Sequence, residues 1–187
     1  MTTPTLSLPF LDQYAQALEE GDAERALGIL RQAHEDHPES GQTLALLAAQ
    51  YMQSGSPDAA EAAFVGALQL DPSLTTARFQ LGLLQYTSGR PQTAFQTWQP
   101  LELLGEAHYL VHFKRAFATL AIDAFDDTLL LLNKGIAVNH ENAPLNHDMR
   151  MLAGQIEAMR GNASDAPSAQ QDEAATQFVL ASYKQNL

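Results

Sequence analysis

The sequence predicts an all-α protein, an α-solenoid of antiparallel helix hairpins, and three observations lead there. Residue types recur with a period of 34 residues. Glycine falls once per period at a place where the chain must reverse, and there it supplies the positive φ that other residues resist. Ala and Leu dominate while β-branched clusters are few, which favours helix over sheet.

The best-preserved unit is 41–74. It reads Leu44-Ala-Leu-Leu-Ala-Ala-Gln-Tyr51, then Gly55, Ala60, Phe64, Ala67 and Asp71-Pro72. One period later stand Leu81-Gly82, Gly89, Ala94 and Trp98; one period earlier stand Gly21, Ala26, Leu30, Ala33 and Pro38. Ala48 and Gly82 are small enough to let the first helix of a hairpin approach its mate. Asp22, and Ser56-Pro57, follow the turn and restart a helix with a capping side chain or a proline in the first turn. Ala26, Ala60 and Ala94 occupy the tight crossing of the second helix, and Leu30, Phe64 and Trp98 fill the core. Pro38 and Pro72 separate one unit from the next.

This pattern resembles the tetratricopeptide repeat family, most strongly over 21–98. The frame gives a repeat domain over 1–160, with units at about 7–40, 41–74, 75–108 and a degenerate fourth at 109–142. In that fourth unit Asp123-Ala-Phe125-Asp-Asp-Thr128 stands for the family's Gly-Asp-Tyr-Asp-Glu-Ala turn, while Arg115 and Thr119 interrupt the apolar pattern. Pro100 lies inside the second helix of the third unit, so a break is expected near Gln99, because proline removes a donor and clashes with the preceding turn. Leu145, Met149, Leu152, Ile156 and Met159 form an apolar stripe at helical spacing, which predicts a capping helix over 143–160 that covers the last open face. Residues 161–172 read as a polar linker, and 173–187 as a C-terminal helix.

The resemblance implies a binding module in which first helices of successive hairpins line a concave groove. Carried over residue by residue, that face holds Leu11, Ala15, Leu18, Ala45, Ala49, Met52, Phe79, Leu83, Tyr86, Phe113, Phe117 and Leu120. Two placements fit: an exposed apolar surface, the usual mark of an interface, with Phe79, Tyr86, Phe113 and Phe117 as anchors, or a closed core. Phe178, Val179 and Tyr183 on the C-terminal helix must also be covered. They would cap the solenoid, fill the groove, or join two copies as a homodimer. A clamp for a chain-terminal carboxylate is not expected, since Lys114 is the only cation near these positions.

Composition narrows the function classes. The net charge of −12 argues against nucleic acid as a partner, because phosphate neutralisation needs clustered Lys and Arg. Cysteine is absent, which excludes disulfides, thiolate metal sites and a Cys nucleophile. No apolar run approaches the roughly 18 to 20 residues of a membrane span. The first ten residues carry neither a basic leader nor a long apolar segment, so the expected location is cytoplasmic. His108 and His112 share a helix face but lack a metalloprotease motif, and Asp123, Asp126 and Asp127 lack the spacing of a calcium loop and suit helix capping better. His34 and His37, and His140 and His147, fall near unit junctions and are expected to be solvated.

No phosphate loop, dinucleotide fingerprint or nucleophile elbow occurs. The expectation is therefore a non-catalytic scaffold or adaptor without cofactor or metal, holding an apolar or amphipathic peptide or helix of a protein partner. The alternatives are a chaperone similar to those serving bacterial type III secretion translocators, and a self-associating structural subunit.

Overall fold

A computed structural model describes residues 9–163. Phe178, Val179 and Tyr183, and the linker and terminal helix expected around them, lie outside the described residues. Among those described there are nine α-helices, one 3-10 segment and no strand. The chain forms two compact units, Met1–Leu81 and Gly82–Leu187, which divide within the fifth helix.

The first unit holds α1 (Pro9–Glu19), α2 (Ala23–Asp36), α3 (Gly41–Gln53), α4 (Pro57–Leu70) and the start of α5 (Thr75–Thr87). Asp22 caps α2 by accepting from the Arg25 N–H at 2.9 Å, and Ser40 caps α3 by accepting from the Thr43 N–H at 3.2 Å. Ser56 makes no capping side-chain bond, and Pro57 alone opens α4. The expected small-against-large packing is present: Ala48, Ala63, Phe64, Ala77 and Leu81 form one buried cluster, edged by Leu44, Tyr51, Met52, Leu68 and Leu74. Tyr14 reaches across to α3, donating its hydroxyl to Gln50 Oε1 at 3.2 Å.

The second unit continues α5 and holds α6 (Pro91–Trp98), α7 (Tyr109–Leu120), α8 (Phe125–Val138) and α9 (Ala143–Ala163). α-Helical geometry stops at Trp98, and Gln99–Leu104 winds as a 3-10 helix that carries Pro100. Gly82 has room for no side chain, because a Cβ there would fall inside the Trp98 indole. Tyr86, Trp98 and Phe117 pack ring against ring at centroid distances of 5.2–6.1 Å, and Tyr86 donates its hydroxyl to the Phe117 carbonyl at 3.1 Å.

Two features depart from the sequence reading. The N-cap position of α8 is held by Ala124 and by none of the three aspartates; Asp126 and Asp127 lie in the first turn, and Asp126 pairs with Arg160 at 2.7 Å. The α8–α9 corner is held by an asparagine network. Asn139 Nδ2 donates to Asn146 Oδ1 at 2.8 Å, Asn146 Nδ2 returns a bond to the Asn139 carbonyl at 2.8 Å, and Asn142 Oδ1 accepts from the Leu145 N–H at 3.0 Å. Asn139 and Asn146 are buried, so each bond satisfies a polar group that would otherwise be costly to enclose.

Candidate functional site

An open groove of about 430 Å3 lies between α3 and the start of α5. Its apolar lining is Ala45, Leu46, Ala49, Leu74 and Ala77; its polar lining is Gln42, Ser73, Thr75, Thr76 and Gln80. The depression exists because α3 presents alanine, two residues four apart, where a longer side chain would fill the space. Leu47 and Ala48, on the other side of the same helix, are buried.

No charged residue lines this groove, although the chain carries 22 acidic and 10 basic side chains. Ser73 is engaged, its N–H and hydroxyl both donating to Asp71 Oδ1 at 2.9 and 2.6 Å. These bonds hold the Asp71 carboxyl below the usual carboxylate range and fix the loop that enters α5.

The residues expected to face a ligand divide sharply. Ala45 and Ala49 line the groove. Met52 is half-buried against the α3/α4 core, and Leu18 is 43% exposed at the end of α1. Phe79, Leu83, Tyr86, Phe113, Phe117 and Leu120 are interior, each no more than 6% exposed. The aromatic anchors are therefore core residues in this structure, which is the second of the two placements open to them from the sequence. The cause is visible at two of them. Phe113 lies against Gly135, where α8 offers no side chain, and Phe117 is enclosed by Tyr86 and Trp98.

The other titratable groups have local roles. Lys114 and Arg115 both pair with Glu102, at 2.8 and 2.9 Å, and their hydrogen bonds hold the Glu102 carboxyl low. This ties the 3-10 segment to α7, and Lys114 is already engaged. His108 caps α7 by accepting from the Leu110 N–H at 3.2 Å and stacks on Tyr109. His112 is disfavoured as a cation by burial first, then by Lys134 and Arg115. His34 is half-buried rather than solvated. Among the described residues no three His, Asp or Glu side chains come together in a way that could hold a metal ion, and no helix is long and apolar enough to cross a membrane.

Stacked helix hairpins that turn on a left-handed residue and enclose a small-against-large core define a helical-repeat scaffold. Residues 17–81 match the tetratricopeptide repeat family. Solved structures of MamA share the fold. One, described as "MamA RS-1 ArsTM double mutant", is 13% identical with a TM-score of 0.58, covering 95% of this chain and 93% of that one. Another, "Crystal structure of MamA protein", is 20% identical with a TM-score of 0.56, covering 95% and 90%. At these identities the likeness is one of fold. No curated protein sequence matches the chain. Tetratricopeptide repeats typically serve as non-catalytic surfaces for protein partners, which supports the general class of protein-interaction scaffold.

Proposed function

We propose that the protein is a cytoplasmic adaptor that holds an apolar or amphipathic segment of a partner protein in the groove between α3 and α5. The observation that carries this reading is the groove itself, an open depression with an alanine and leucine lining inside the segment that matches the repeat family. Its volume lies within the range of roughly 300–1,000 Å3 over which proteins commonly take ligands. Burying one side chain of Leu size against such a lining contributes about 1.5–3 kcal/mol, so a few contacts give useful affinity without rearrangement of the scaffold.

A photo-cross-linking amino acid placed at Ala45 tests the assignment, with Gln69, exposed on α4, as the control position. A discrete partner is expected to cross-link from position 45 and to be lost in the Ala49→Arg variant, whose circular dichroism should match wild type. Equal cross-linking from position 69, or full retention in Ala49→Arg, would remove the groove from consideration.

A further inference from the structure

We propose that residues 173–187 of this chain fold back as a helix and cover the outward face of α9 within the same molecule. The groove between α3 and α5 plays no part in this.

A helix that closes a repeat array needs a polar outer face, since no further repeat covers it. The outer face of α9 carries little polarity. Leu145, Met149, Leu152 and Ile156 are buried, and α9 packs on α8. On the opposite side stand Pro144, His147, Met151, Gly154 and Ala158, all exposed. They recur at alternating steps of three and four, the spacing at which one helix offers a seam to another. No Asp, Glu, Lys or Arg interrupts that row. Met151 is 43% exposed, and a side chain at Gly154 would meet nothing within 4 Å. Arg160 turns instead to α8, where it pairs with Asp126.

Chain length points to the occupant. From Pro144 to Ala158 the row rises about 21 Å, and a helix over 173–187 would rise about 22 Å at roughly 1.5 Å per residue. On such a helix Val179, Leu180, Tyr183 and Leu187 share one side, because residues four apart lie one above the other. α9 ends at Ala163, so 164–172 form the tether. Fully extended, that stretch spans about 30 Å, well beyond the roughly 8–10 Å between the axes of packed helices. The segment therefore reaches the seam by running antiparallel to α9, as the second helix of each hairpin does to its first. A tether this short holds it at an effective concentration on the order of millimolar, so α9 meets its own tail before that of a second copy.

The chain has no cysteine, so Met151→Cys places a single thiol on the seam, and its alkylation rate reads whether the seam is covered. In the full chain this thiol is expected to react about tenfold more slowly than one placed at Gln69, because only the open form reacts. Gln69 is exposed on α4. The protection should not change on dilution. Val179→Glu together with Tyr183→Glu should abolish it while leaving Trp98 fluorescence as in the parent chain.

Equal rates at positions 151 and 69 would overturn the proposal, as would protection that survives the two glutamates. Protection lost on dilution would overturn it too, and would assign the seam to a second copy.

Discussion

The second hairpin, α3/α4, and the fourth, α7/α8, use one backbone plan with exchanged side-chain volumes. Both close with the same six-to-one hydrogen bond, from the Ser56 N–H to the Tyr51 carbonyl at 2.8 Å and from the Ala124 N–H to the Thr119 carbonyl at 3.0 Å. Both turn on a left-handed residue, Gly55 at φ 70° and Asp123 at φ 56°. At twice the repeat period Ala48 becomes Ala116, Ala60 becomes Thr128 and Phe64 becomes Leu132, and all six are buried.

The decisive exchange is Ala45 with Ala67, against Phe113 with Gly135. In the second hairpin the short Ala45 leaves a groove. In the fourth, the missing side chain at Gly135 gives the Phe113 ring a place in the core. The residue at this one position of the first helix, Ala45 or Phe113, is thus a groove lining in one hairpin and a core aromatic in the other. The family match ends at 81, yet the fourth hairpin folds to the same plan, because the plan requires volumes and not particular residues.

The largest effect that bears on this contrast is expected from Phe113→Ala. Emptying a wholly buried aromatic site costs about 3–5 kcal/mol, read from urea unfolding followed by the fluorescence of Trp98. Gly135→Ala, which restores the second hairpin's residue, should cost about 1–3 kcal/mol by overpacking the ring. The double variant should lose less than the two single losses summed. Strict additivity would show that the two positions do not exchange volume.

Thr128→Ala also restores the residue of the better-preserved hairpin, and here too the consensus should be worse. Thr128 Oγ1 lies 2.9 Å from Thr119 Oγ1 and donates to the Ala124 carbonyl at 2.9 Å. Losing this buried hydroxyl should cost about 1 kcal/mol, and an unchanged midpoint in urea would show that the pair contributes nothing. Asp123→Gly is the one return to consensus expected to help. It removes left-handed strain but adds freedom to the unfolded chain, for a net gain of about 0.5 kcal/mol in the same assay.

The smallest expected effect lies on α9, behind the fourth hairpin. Burial raises the Asp148 carboxyl above its usual value of 3.8, with His147 opposing. A raised folded-state value means the folded form binds the proton more tightly. The resulting stability is present below pH 3.8 and lost as pH rises through the folded value. Asp148→Asn should therefore raise the melting temperature at pH 7, with the advantage fading below pH 3.8. An equal difference at both pH values would show that titration is not the cause.

Much of this architecture is legible in residue order. Gly21, Gly55 and Gly89 mark turns because few other residues tolerate that φ, and Pro100 marks the end of α6 because it cannot continue the ladder. Asn139 was less visible. Its signal is positional: it stands where Asp71 does two periods earlier, and both side chains bind the loop that leads to the next helix. The apolar pattern alone could not separate groove from core, since Ala45 and Phe113 occupy equivalent positions.

The sequence by itself determined the repeat, the turns, the break at Pro100 and the neutrality of the residues around Ala45 and Ala49. These follow from local rules of φ, hydrogen-bond donation and helical period, which act within one or two turns of chain. Only the tertiary structure decided which apolar side chains are enclosed. Enclosure depends on the residue opposite, and that residue, Gly135 for Phe113, lies 22 positions away on another helix.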